Sequence, residues 1–134
     1  MTIDEINDFC KNSLVGHLHI KFTETSQTTV VAKMPVNAMT QQPMGFLHGG
    51  ASLALAETVA SCGSLLLVDI SQFNVFGMQV TGNHISPASE GFVFAKATIL
   101  HKGKTTHVWD VEIRDEENKL ISVARVTNAI VEKR

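Results

Sequence analysis

The run from His48 to Val68, HGGASLALAETVASCGSLLLV, restricts the fold more than any other segment of this chain. It is rich in Ala and Leu, holds no proline, lacks the alternation of a strand, and is too long to be one strand. The pattern predicts a helix that is apolar nearly all round. Such a helix must be covered on most sides, so the rest of the chain has to supply the cover. Glu57, His48 and several Gly and Ser residues make the run a poor membrane span and a good buried helix.

The flanking segments supply strands. Thr2-Ile3-Asp4-Glu5 has capping-box spacing, and Ile3, Ile6, Phe9 and Cys10 recur at helical intervals, which predicts a short amphipathic helix with its stop near Gly16. Leu18, Ile20 and Phe22 alternate with polar residues, as do Val30, Ala32 and Met34 after a Ser26-Gln27 turn. Pro35 ends this hairpin, and a polar loop follows from Asn37 to Gly45. Beyond the long helix come four strand-like runs: Phe73–Val80, Phe92–Leu100, the segment holding Val108, Val111 and Ile113, and Leu120–Val131. Residues 101–105 and 115–119 have turn composition. One antiparallel sheet curling around one long central helix is the simplest α+β solution. With 134 residues, it is a single domain spanning residues 1–134.

Composition excludes several roles. Eleven Lys+Arg against thirteen Asp+Glu give a net charge of −2, which offers no basic excess for nucleic acid. Cys10 and Cys62 are too few for a disulfide framework or a metal knuckle and read as buried, reduced thiols of a cytoplasmic protein. The first residues carry acids early and no apolar run, unlike a secretory or transit peptide.

Glu57 is the only acid between Glu24 and Asp69. Its helical neighbours are Leu53, Ala54, Ala60 and Ser61, and burying an ionised carboxylate among them is costly unless something uses it. His48-Gly49-Gly50 falls where the helix should begin. There the first N–H groups lack intrahelical partners and the dipole is positive. Two glycines leave that backbone bare to an approaching oxyanion. Gly-Gly alone would indicate no more than a turn. Gln42 adds an amide and His48 an imidazole nearby.

QPMGFLHGGASLALAETVAS resembles the active-site segment of hotdog-fold acyl-CoA thioesterases. The branch with 1,4-dihydroxy-2-naphthoyl-CoA hydrolase and the enterobactin proofreading thioesterase is nearest. The Arthrobacter-type 4-hydroxybenzoyl-CoA and phenylacetate-pathway enzymes are more distant. Supporting likenesses run through Met34-Pro35-Val36, Gly82–Gly91 and His101–Glu116. By position, the resemblance makes Glu57 the nucleophile or the general base on water. It makes the Gly49 N–H the oxyanion donor, with Gln42 and His48 beside it, and Ser61 the holder of the hydrolytic water. Asn83 and His84 match a pair bordering the acyl pocket. Two arginine positions of the family are Ser86 and Ser89 here, and Lys102 and Lys104 are the candidates for the nucleotide phosphates of CoA. The resemblance implies hydrolysis of an acyl-CoA, with 1,4-dihydroxy-2-naphthoyl-CoA of menaquinone biosynthesis as the first choice. It implies no metal or organic cofactor, no membrane partner, and a homodimer as minimal unit within a homotetramer. Medium-chain fatty acyl-CoA and carrier-protein thioesters are the alternative substrates.

A rival pattern exists. His17, His19 and Glu24, with His48 from PMGFLH, resemble parts of a cupin metal site, and His17 and His19 would share one face of a strand. The sequence then turns into a helix where a cupin needs a strand, and Ser52 stands where that motif has Asn. His101 and His107 read as ordinary strand histidines. No G-x-S-x-G elbow, Walker loop or dinucleotide fingerprint is present. A hotdog dehydratase needs a different His–acid placement, and a non-catalytic acyl-CoA sensor does not need Glu57.

Helix arithmetic adds one expectation. Gly49 and Glu57 are eight residues apart, about 12 Å at ~1.5 Å per residue. A thioester carbonyl held at Gly49 is out of reach of Glu57 on the same helix. Two antiparallel copies would bring Gly49 of one chain to Glu57 of the other, with two sites per dimer.

Overall fold

Thr2 caps the first helix, α1 (Ile3–Cys10), by accepting the Glu5 N–H at 3.1 Å. The computed structural model describes residues 1–134. The expected stop at Gly16 is instead part of a second short helix, α2 (Leu14–His17), started by Ser13. Glycine is needed there because a Cβ would fall 1.9 Å from the Lys11 carbonyl oxygen. Of the apolar residues expected to face inward from α1, Ile6 and Cys10 are buried, while Phe9 is 62% exposed.

The helix α2 displaces the start of the first strand. Leu18 caps α2, His19 takes a φ of 57°, and β1 runs only over Lys21–Thr25. The strands after it are β2 (Thr29–Pro35), β3 (Phe73–His84), β4 (Phe92–Lys102), β5 (Thr106–Asp115) and β6 (Leu120–Glu132). They form one antiparallel sheet in the order β1-β2-β4-β5-β6-β3. β3 continues four residues past the expected Val80, so Asn83 and His84 end a strand rather than lie in a loop.

The long helix α3 covers Gly49–Leu67 and lies across the sheet, next to β2 through β6. Its Leu55, Ala56, Val59 and Ala60 are fully buried against inward residues such as Met34, Ala95, Val111 and Val126. By length and a mean hydropathy of 1.4, α3 alone would pass for a membrane span, but it is the core helix of this fold. A six-stranded antiparallel sheet around one central helix is the hotdog arrangement expected from the sequence.

The cover is incomplete on one side of α3. Gly50 and Glu57, two turns apart, are exposed. The expectation that apolar neighbours bury Glu57 therefore fails in the single chain, because those neighbours turn toward the sheet and the acid does not. β3 borders this open side. It is an edge strand of 12 residues, largely exposed, with Phe76 55% and Met78 62% accessible. A register shift at Gly77–Gln79 breaks its pairing with β6.

Candidate active site

The candidate residues fall into two groups, both organised by α3. The first lies at its N-terminus. His48 is the N-cap residue, and its Nδ1 accepts the Gly50 N–H at 2.7 Å. The imidazole thus starts the helix through Nδ1, and this leaves the ring proton on Nε2, free to donate. Gly49, the first helical residue, keeps an N–H that meets no acceptor in the chain. It opens on a cavity of about 360 Å³ that Gln42, Phe46, Ser52, His84 and Ser86 also line. The Gln42 Oε1 accepts the Met44 N–H, which leaves the amide nitrogen without an acceptor. His84 lies directly against the glycine: a Cβ on Gly49 would fall 2.6 Å from His84 Nε2. The ring is held from behind by Ser122, whose Oγ is 2.8 Å from Nδ1. A bare N–H at a positive helix end, beside a free amide, suits a developing oxyanion.

The second group lies two turns further along α3. Glu57 makes no hydrogen bond or ion pair, and its Oε2 rests against β3, where a Cβ on Gly77 would come within 2.6 Å. It faces a cleft of about 310 Å³ shared with Leu14 and Val15 of α2 and with Thr58, Ser61 and Cys62 of α3. Ser61 is one helical turn beyond the acid and on the same face. Cys62 Sγ is 4.0 Å from Cys10 Sγ. Hydrogen bonding from Cys62 draws the Cys10 thiol down to about 7, and the same contact together with burial pushes Cys62 up.

The remaining candidates separate. Gly82 and His84 face α3, so strand alternation turns Asn83 to the opposite face, away from the Gly49 cavity. Lys102 and Lys104 flank the β4–β5 hairpin. Register places that hairpin beside Ala129 and Phe76, whereas His84 pairs with Ser122. At ~3.3 Å per residue the two ends of β6 are about 23 Å apart. The lysines therefore share the Glu57 end of the sheet and not the Gly49 end. The cupin-like constellation does not form: His17 is helical, His19 has a positive φ, and no three His, Cys, Asp or Glu side chains gather.

A polar cluster inside the core was not anticipated. Asn128 and Ser64 have no exposed surface, and His107 is 1% exposed. Ser64 Oγ accepts from Trp109 Nε1 at 2.9 Å and from Asn128 Nδ2 at 3.0 Å, and it lies 2.8 Å from His107 Nδ1. Strand parity was the available signal. Val126, Asn128 and Ile130 share one face of β6, and His107, Trp109 and Val111 share one face of β5.

Comparisons with known proteins agree with the fold. The family described as the thioesterase superfamily matches residues 44–122. A 1,4-dihydroxy-2-naphthoyl-CoA hydrolase of Escherichia coli is 38% identical over 131 residues, covering 98% of this chain and 96% of its own. A mutant thioesterase crystal structure from Pseudomonas aeruginosa superposes with a TM-score of 0.96 at 39% identity, covering 99% of this chain and 96% of that one. A Haemophilus influenzae thioesterase structure gives 0.94 at 39% identity, covering 98% and 92%. The chain belongs to the thioesterase superfamily. Its chemistry is accordingly that of a hydrolase acting on thioester bonds.

Proposed function

We propose that this protein hydrolyses an aryl-CoA thioester to the free acid and CoASH, at sites shared between two copies of the chain. The observation that carries the reading is the division of the site along α3. The free Gly49 N–H and the unpartnered Glu57 carboxylate open into separate cavities of one chain. Neither half is complete alone. A second copy, with its α3 antiparallel to the first, brings each Gly49 to the other's Glu57. The long edge strand β3, unpaired on its outer side, supports this, because an exposed edge with accessible Phe76 and Met78 invites pairing with an identical edge. Two such dimers would make the tetramer.

In the shared site the thioester oxygen accepts from Gly49 N–H and from the Gln42 amide. Glu57 of the other copy removes a proton from an attacking water, or attacks the carbonyl carbon itself to form an anhydride that water then hydrolyses to the free acid. The tetrahedral intermediate collapses, the C–S bond breaks, and the thiolate leaves as CoASH. His84 and Ser86 border the substrate beside Gly49. Lys102 and Lys104 lie at the Glu57 end, where the antiparallel arrangement brings them to the partner's Gly49 cavity and to the CoA phosphates. No step needs a metal or organic cofactor, and the reaction belongs in the cytoplasm.

The first choice of acyl group is 1,4-dihydroxy-2-naphthoyl, supported by the name of the E. coli relative. The test is a thiol-release assay over aryl-CoA, fatty acyl-CoA and carrier-protein thioesters. Preference for aryl-CoA, and for the dihydroxynaphthoyl ester among them, is expected. Faster release from fatty acyl-CoA or carrier-protein thioesters would overturn the substrate assignment.

A further inference from the structure

The core cluster behind Ser61 has only one self-consistent arrangement of its protons. Asn128 Nδ2 lies 3.2 Å from the carbonyl oxygen of Ala60, which can only accept. The nitrogen of the amide must therefore face Ala60, and its oxygen must face Ser61. Ser64 Oγ fixes the same orientation, because it takes the second Nδ2 hydrogen at 3.0 Å. With Trp109 Nε1–H filling its other lone pair at 2.9 Å, Ser64 gives its own proton to His107 Nδ1 at 2.8 Å. Turning the amide over would oppose two oxygens at Ala60.

This decides what Ser61 does. Its Oγ lies 3.4 Å from Asn128 Oδ1, and no other group of the chain donates to that fully buried oxygen. A carbonyl oxygen cannot donate, so the Ser61 hydroxyl gives its proton inward, away from the cleft it shares with Glu57. Toward the cleft it presents lone pairs. It can then accept a hydrogen from water but has no proton left to give to the Glu57 carboxylate. A water between the two residues donates one hydrogen to Glu57 and the other to Ser61, and its own lone pair is left for the thioester carbon.

We propose that Asn128 is a positioning residue that fixes Ser61 as a hydrogen-bond acceptor and so orients the hydrolytic water whose proton Glu57 takes. The step balances. The O–H bond to Glu57 breaks and its proton passes to the carboxylate. A C–O bond forms, the C–S bond breaks, and the proton leaves on the CoA sulfur. The proposal rests on the thioesterase reading above and adds the residue that sets the direction of Ser61.

The experiment is a double-mutant cycle on kcat and KM with the thioester that the wild-type protein turns over fastest. Asn128→Ala should lower kcat about ten- to 10²-fold, as a misplaced reacting group does, with little change in KM. In a Ser61→Ala background the same change should cost less than about threefold, because Asn128 acts only through Ser61. Equal losses from Asn128→Ala with and without Ser61 would overturn the proposal, since they would mean a merely structural role. If Asn128→Ala does not fold, neutron diffraction of the wild-type protein decides instead. A Ser61 deuteron directed at Asn128 supports the proposal, and one directed at Glu57 overturns it. An active Glu57→Gln variant would defeat the thioesterase mechanism itself, a failure the deuteron direction does not depend on.

Discussion

The two ends of the catalytic stretch of α3 are built in opposite ways. At the N-terminus almost every group is engaged: His48 caps Gly50, Ser122 holds His84, and His84 lies on Gly49, so that the free N–H of Gly49 stands out of a fixed frame. Around Glu57 the frame is open. The acid has no partner, rests on a glycine, and faces a cleft whose remaining wall the single chain does not supply. Behind it, however, Ser61 is tied to a tightly bonded core cluster. An oxyanion site gains from rigidity because its donors must be in place before charge develops. A general base must be free to take up a proton, and in the proposed dimer the order of Glu57 comes from the second copy and from the water on Ser61.

The largest expected effect breaks the open end. Glu57→Gln should reduce thiol release by about 10²–10⁴-fold, the range for one general acid–base group. Thermal unfolding should hardly move, because the side chain is exposed and unpaired. Near wild-type turnover would exclude Glu57 from the chemistry.

The next test joins the two ends across copies. Glu57→Gln is mixed with a Gln42→Ala, Gly49→Ala double variant under conditions where subunits exchange. Each hybrid dimer should regain one intact site, up to half the per-dimer activity of wild type. No recovery after demonstrated exchange would refute sites shared between chains.

The two glycines sharpen the contrast further. In Gly49→Ala the new Cβ meets a ring that Ser122 holds in place, so the helix end or the ring must shift; turnover should fall about 10²-fold. In Gly77→Ala the Cβ meets the far end of a flexible carboxylate, which can move aside. Its loss should be smaller, about tenfold or less, with unchanged melting temperature. Equal losses in kcat would mean the two ends do not differ in rigidity.

The smallest effect is on stability. Burial, aided by Lys102 and His101, holds His107 below its ordinary value of 6.5. The unfolded chain binds this proton at a higher pH than the folded one. The stabilising contribution is therefore present above 6.5 and is lost as pH falls through the lowered folded value. Melting temperature should drop on acidification below pH 6.5, and less steeply in His107→Gln. Parallel profiles would remove His107 as the cause.

Much of the molecule follows from local pattern. A mostly apolar run rich in Ala and Leu from Ala51 to Leu67, with no proline, is enough to specify a long helix, and alternation is enough to specify most of the strands. Gly-Gly at the helix start marks a bare N–H, and a lone acid in an apolar run marks itself. Those are properties of neighbours in the chain, which the sequence displays directly. The errors came where distant segments decide. Leu18 and Ile20 alternate like a strand, yet α2 ends at His17 and its cap and turn hold the strand back to Lys21. Glu57 looks buried by its neighbours, yet whether a helix face is covered depends on which strands reach it and on how many copies assemble. Asn128, Ser64 and His107 stand as many as 64 residues apart in the chain, and only the sheet register and the helix packing bring their polar atoms within 3 Å. The proposed direction of the Ser61 proton rests on its contact with Asn128, because a hydrogen bond depends on the position of both atoms and a sequence gives only their order.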